Sequence, residues 1–189
     1  MKTSWKRELW EWAKAIIVGL LLFIVIRSFL FSNYVVDGQS MMPTLEDEDK
    51  LIVNRIGYTV GSIDRFDVIV FHATEEDDYV KRVIGLPGDT VSYQNDQLYV
   101  NGEPLPEPYL DEFKEASGEI YLTGDFTLEQ LPGGETEVPE DMYFVLGDNR
   151  RGSKDSRHIG FIPKENVVGE VSVRYWPFDN FEAGFNPTK

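Results

Sequence analysis

"YVKRVIGLPGD", residues 79–89, decides how this chain folds. Its first half alternates β-branched and aromatic side chains at a period of two, and Leu86-Pro87-Gly88-Asp89 then fits a type II turn, with proline at the second position and glycine at the third. The same grammar recurs outward in both directions. "YVVDG" (34–38), "KLIVNRI" (50–56) and "DVIVF" (67–71) precede it, while "DTVSYQ" (89–94), "QLYVNG" (97–102), "YFVLG" (143–147) and "VVGEVSVRYW" (167–176) follow. Asn101-Gly102 suits a two-residue hairpin turn. Beyond the N-terminal region no segment shows helical periodicity with caps, so the expectation is a mainly β domain of coiled antiparallel or barrel-like sheets.

Composition narrows the chemistry. The chain has 189 residues, 42% of them hydrophobic, enough for one ordinary domain with a real core. It contains no cysteine, which excludes thiol nucleophiles, disulfides and thiolate metal sites. His72 and His158 lie far apart without HExxH spacing, and neither a metal nor another cofactor is expected.

Residues 15–26, "AIIVGLLLFIVI", are uninterrupted apolar sequence, and 10–31 as a helix would extend roughly 33 Å, enough to cross a bilayer. Lys14 and Arg27 bracket the run, Trp5, Trp10 and Trp12 suit a headgroup belt, and Lys2, Lys6, Arg7 and Lys14 place the N-terminus on the cytoplasmic side. The following "RSFLFSNYVV" has bulky or charged groups where a cleavable leader would need small ones. The expected organisation is a cytoplasmic tail over 1–12, an uncleaved, single-pass transmembrane signal anchor over 13–31, and an extracytoplasmic domain over 32–189. Phe29, Leu30, Phe31, Met41 and Met42 lie near enough to that span to rest on lipid.

Residues 28–189 carry 13 Lys and Arg against 31 Asp and Glu, a surface that repels nucleic acid at long range. No nucleic-acid partner is expected. Twelve of those acids, with Lys114 as the one cation, fall within residues 103–141 among five prolines, which reads as an inserted, loop-rich subdomain.

Two residues invite nucleophilic chemistry. Ser40 sits in "GQSMMPTL" (38–45), and a serine hydroxyl needs a nearby base before it attacks anything. His158 in "SRHIGF", with Asp155 nearby, is one candidate. Lys81 is the other: it lies in an apolar strand with Val83 on the same side, and burial would lower its pKa toward neutrality.

Three stretches in order, "SMMPTL" (40–45), "YVKRVIGLPGD" (79–89) and "GDNRRGSKDSRHIGF" (147–161), following an N-terminal anchor, resemble the bacterial type I signal peptidases, and in particular their short, single-anchor Gram-positive forms. The resemblance implies a membrane-anchored serine endopeptidase that removes signal peptides from secretory preproteins, beside the secretion translocon, at small-x-small sites. It implies Ser40 as nucleophile and Lys81 as general base, with Ser153 orienting the lysine, Asp155 and Arg157 supporting the site, and Gly147, Asp148, Asn149 and Arg150 walling it. The substrate would bind as an added strand between Val35, Val36, Asp37 and Asp78, Tyr79, Val80. Asp155 should pair with Arg157, since a carboxylate against Lys81 would restore the lysine's charge. Two positions depart from the family pattern. Gly38 stands where some members carry a hydroxyl oxyanion donor, leaving the Ser40 backbone N–H for that role. Phe66, in "DRFDVIVF" (64–71), replaces a common glycine, from which a local packing change is expected without direct loss of catalysis.

Overall fold

The structure, a computed structural model, describes residues 5–55, 62–118 and 121–188. Lys2 and Ile56 lie outside the described residues, as do residues 119–120 of the acidic stretch and the side chains of Lys6, Arg27 and Phe29. Helix α1 (Trp5–Leu30) leads directly into β1 (Phe31–Val35). The apolar side chains of α1 from Ile16 to Ile24 are exposed. Among the described residues no helix is long and apolar enough to cross a membrane, and the side chains at 25–29 of the expected span are not among them.

The remainder is antiparallel sheet. β2 (Lys50–Asn54), β3 (Val68–His72), β4 (Asp78–Gly85), β9 (Met142–Leu146), β10 (Ile162–Pro163) and β11 (Val167–Trp176) join β1 in the order β1-β2-β11-β3-β4-β9-β10, with β12 (Glu182–Ala183) on β11. β5 (Val91–Gln94), β6 (Gln97–Val100), β7 (Glu103–Leu105) and β8 (Phe126–Thr127) form a second sheet in the order β7-β6-β5-β8. Both sheets are open, so the coiled-sheet expectation holds and the barrel-like one does not. β7 and β8 belong to the acidic stretch, yet they complete a sheet whose other two strands precede it.

The turns behave as their residues demand. Gly88 adopts φ 80° and the Asp89 N–H reaches the Leu86 carbonyl at 3.0 Å, closing the turn after β4. Asn101 and Gly102, at φ 54° and 81°, make the two-residue β6–β7 turn. Asn95 and Asp96, at φ 51° and 61°, make a like one between β5 and β6, and the Asp96 carboxylate accepts the N–H groups of Leu122 and Thr123.

Two short helices correct the expectation of none. α2 (Asp111–Ser117) ends at Gly118 in the left-handed region, φ 64°, and α3 (Ser156–Ile159) is capped by the Asp155 side chain. Neither is long enough to repeat an apolar face, so periodicity could not register them.

β4 is buried on both faces. Val83 faces a cluster with Ile69, Phe71 and Tyr143, whereas Ile84 faces Tyr93, Phe126 and Phe144, which seat the second sheet on the first. Lys81 and Arg82, two residues earlier on those respective faces, are drawn inward with them.

Candidate active site

Ser40 lies on the loop between β1 and β2. Gly38 turns the chain at φ 90°, its N–H donating to Asp47, and Met41 and Leu45 pin the loop from inside, at 1% and 0% exposure. Met41 is therefore core and does not rest on lipid; Met42 is half-buried. The loop's outer side is held by the turn after β9. Asn149 donates its backbone N–H to the Ser40 carbonyl (3.1 Å) and its side-chain amide to the Gln39 carbonyl (3.0 Å). Gly147 packs so closely on the Ser40 carbonyl and Ser153 Oγ that a β-carbon there would overlap both.

Lys81 arrives from β4 at 3% exposure, and its Nζ donates to Ser40 Oγ and to the Val80 carbonyl, each at 2.8 Å. Desolvation pushes its pKa down to about 8, against a partial upward pull from Asp155 and Asp148. Asp155 itself is fully buried, and burial alone would raise its pKa. The opposing hydrogen bonds and charge of Arg157, whose Nε and terminal nitrogen both lie 2.8 Å away, and the Gly147 N–H prevail and lower it. The carboxylate thus pairs with Arg157, and it reaches Lys81 only through space.

Ser153 Oγ is buried and makes no hydrogen bond among the described residues; it lies near enough to Asp155 to favour the carboxylate without meeting bond geometry. Lys81 takes the Val80 carbonyl as its second partner instead of Ser153. His158 is exposed, 3.9 Å from the Asp155 carboxylate, so the hydroxyl of Ser40 meets lysine and not imidazole.

A cavity of about 350 Å³ opens beside the pair, lined by 34–40, 78–81, Gly152 and Lys154. It contains all six positions expected to flank a bound strand: Val35, Val36, Asp37, Asp78, Tyr79 and Val80. Tyr34 donates to Asp78 at 2.9 Å, and burial followed by the Asp78 bond pushes its phenol up to about 12. A larger cavity, about 460 Å³, lies behind Arg82 and contains neither Ser40 nor Lys81. Its two arginines, Arg82 and Arg174, already donate to carboxylates and carbonyls. Among the described residues no group of three or more His, Asp or Glu is arranged to hold a metal ion.

Two residues of this assembly, Arg82 and Thr44, were not singled out from the sequence. Arg82, wholly buried, pairs with Asp148 at 2.7 Å, and the Thr44 hydroxyl donates to the same carboxylate. An arginine inside the apolar run "YVKRVIG" is the signal that a buried acid must exist to meet it. Phe66 adopts φ 72° as the third residue of a turn closed from Asp67 N–H to the Asp64 carbonyl. That conformation explains why glycine suits the position; the phenyl ring is held there edge-on to Tyr109, 5.6 Å between centroids.

Residues 9–176 match the profile of the family described as signal peptidase, peptidase S26. The chain is 55% identical over 176 residues to signal peptidase I of Bacillus caldolyticus, covering 93% of this chain and 94% of that one. It is 47% identical over 186 residues to signal peptidase IB of Staphylococcus aureus, covering 96% and 97%. The crystal structure of a signal peptidase I from Enterococcus faecalis V583 is 45% identical and superposes with a TM-score of 0.56, over 60% of this chain and 99% of that one. On these likenesses the chain belongs to the signal peptidase family, peptidase S26, a family of serine proteases.

Proposed function

We propose that the chain is a membrane-anchored endopeptidase that removes signal peptides from exported preproteins, with Ser40 as nucleophile and Lys81 as general base. The observation carrying this reading is the 2.8 Å contact between Lys81 Nζ and Ser40 Oγ at a lysine that pairs with no carboxylate among the described residues. A pKa near 8 leaves part of the lysine population neutral at physiological pH, where a free lysine would be almost wholly charged. On the neutral amine the bond reverses: the Ser40 hydroxyl donates to the Nζ lone pair, and Nζ keeps donating to Val80. Ser40 Oγ then attacks the scissile carbonyl as its proton passes to Lys81, and the developing oxyanion rests on the Ser40 N–H. Lys81 gives that proton to the leaving amine, and water, deprotonated by the same lysine, hydrolyses the ester.

The preprotein binds as a strand between 35–37 and 78–80, so P1 and P3 face the same wall, and the resemblance to signal peptidases implies that both prefer small side chains. Residues 13–31 anchor the chain with its N-terminus in the cytoplasm, and 32–189 work outside, beside the translocon. At most about nine residues separate the anchor from Ser40, roughly 30 Å of extended chain, which keeps the site at the membrane surface. The Asp155–Arg157 pair supports the site from behind, with Ser153 packed beside it against Gly147.

Cleavage of a labelled precursor tests the reading. Wild-type chain should process it and Ser40→Ala should not; equal processing by both would end the assignment. External protease on intact protoplasts should remove the C-terminal domain, and its full protection would reverse the topology.

A further inference from the structure

A buried knot behind the site ties the acidic stretch to the nucleophile. Arg150 and Glu107 form an ion pair with side-chain exposures of 0% and 5%. Tyr93 and Tyr109 both donate their hydroxyls to Glu107, and Arg150 also donates to Thr123 at 3.2 Å. Three of these groups, Glu107, Tyr109 and Thr123, come from residues 103–141, whose other carboxylates are largely exposed. Among the described residues of the stretch, one carboxylate, that of Glu107, is buried and satisfied on every side.

The other end of the same guanidinium points at the catalytic turn. Arg150 Nε donates to the Gly147 carbonyl at 3.1 Å, and the Arg150 carbonyl accepts from Arg157, the partner of Asp155. A guanidinium is planar and rigid, so fixing its forked end fixes the direction of Nε as well. Gly147, held by that Nε on one side and by Asp155 on the other, presses on the Ser40 carbonyl, and Asn149 bonds it. A buried ion pair contributes little stability beyond what well-packed apolar side chains of the same volume would supply. What this one adds is orientation.

We propose that Glu107 is a positioning residue for the cleavage reaction: it orients Arg150 so that the turn at 147–149 holds Ser40 within reach of Lys81. The inference rests on the reading of Ser40 as nucleophile. It gives the acidic stretch a task in the reaction, carried by one inward carboxylate and independent of its surface charge.

The test uses the full chain in detergent micelles, a fluorogenic peptide with an Ala-x-Ala site, and a thermal melt of each variant. Glu107→Leu combined with Arg150→Met, Tyr93→Phe and Tyr109→Phe replaces the knot by apolar groups of similar volume; it should still melt cooperatively, somewhat below wild type because the Gly147 carbonyl loses its partner, yet show kcat reduced at least tenfold with KM within twofold. Glu107→Gln, which keeps one acceptor for Arg150, should fall between the two in kcat, again at unchanged KM. Wild-type kcat in either folded variant overturns the inference, as does a deficit that merely follows the unfolded fraction. If neither variant folds, the knot is a stability element and the inference is likewise overturned. Ser40→Ala runs in parallel: activity there would remove the underlying reading, whereas an inactive Ser40→Ala beside fully active Glu107 variants removes the positioning role alone.

Discussion

The pocket around Lys81 and the interior behind Arg82 lie on opposite faces of one strand, and they handle a buried cation in opposite ways. Arg82, wholly buried, is met by Asp148, by the carbonyls of Phe66 and Phe185 and by Thr44. Burial works against its charge, Asp148 outweighs burial, and its pKa rises. Lys81 is almost as deeply buried but meets a hydroxyl and a carbonyl, neither of which carries charge, and its pKa falls. Adjacent residues thus become a permanent structural cation and an amine that loses its proton far more readily. The deciding variable is where the nearest carboxylates are already committed: Asp148 to Arg82, Asp155 to Arg157.

The sharpest way to break that contrast is to make Lys81 behave like its neighbour. Lys81→Arg keeps charge and much of the bulk but cannot lose its proton, so kcat should fall by about 10³-fold, the middle of the range for loss of a general base. Near-normal cleavage by this variant would return the base role to another group.

Next in size is Gly147→Ala. The added methyl has no space against the Ser40 carbonyl, so the Ser40 loop must move, and a displacement of about 1 Å costs roughly 10² in kcat/KM. Single-turnover kinetics should place the loss in the chemical step; an unaffected step would mean that the loop tolerates the shift.

Replacing Lys81 by Met sharpens the contrast from the side of stability. The folded lysine has its pKa lowered from 10.5 to about 8, so the folded state binds its proton less well than the unfolded one. Below pH 8 that mismatch destabilises the fold by on the order of 3 kcal/mol, and the penalty fades as pH rises toward 10.5. Lys81→Met should therefore unfold at higher denaturant at pH 7, with the gain shrinking above pH 8, while Arg82→Met at its paired site should destabilise. Wild-type kcat/KM should rise with pH through a midpoint near 8. A midpoint near 10 would mean that the lysine is hydrated in the working enzyme.

The smallest expected effect is that of His158→Phe. The ring is exposed and the Ser40 hydroxyl is bonded by Lys81 instead, so activity should stay within about twofold. A dead His158 variant with active Lys81→Arg would replace the lysine site by a histidine one.

Much of this was legible in single stretches because it depends on local chemistry. Period-two alternation with Pro-Gly and Asn-Gly turns announced seven of the strands, including β11 over its full length, and met β1 only at Tyr34 and Val35. The rule that a carboxylate would restore the lysine's charge required Asp155 to look elsewhere, and Arg157, two residues on, was within its reach. Gly38, at φ 90°, and Phe66, at φ 72°, were visible as departures although their backbone angles were not.

Partnership across the fold was decided only by tertiary structure. Which acid meets Arg82 depends on the register of β4 against β9, which brings Leu146 opposite Arg82 and Asp148 just beyond it. That register is a sum over many side chains far apart in sequence. The inward turn of Glu107 could not be told from its eleven acidic companions in 103–141, since exposure and burial of a carboxylate look alike until a buried arginine stands opposite. Nor could the choice between Ser153 and the Val80 carbonyl as second partner of Lys81 be read in advance, because it depends on the torsions of one flexible side chain in a packed site. Residue types and their spacing determined which chemistry this chain has available; packing determined which charges are neutralised, and therefore which lysine can act as a base.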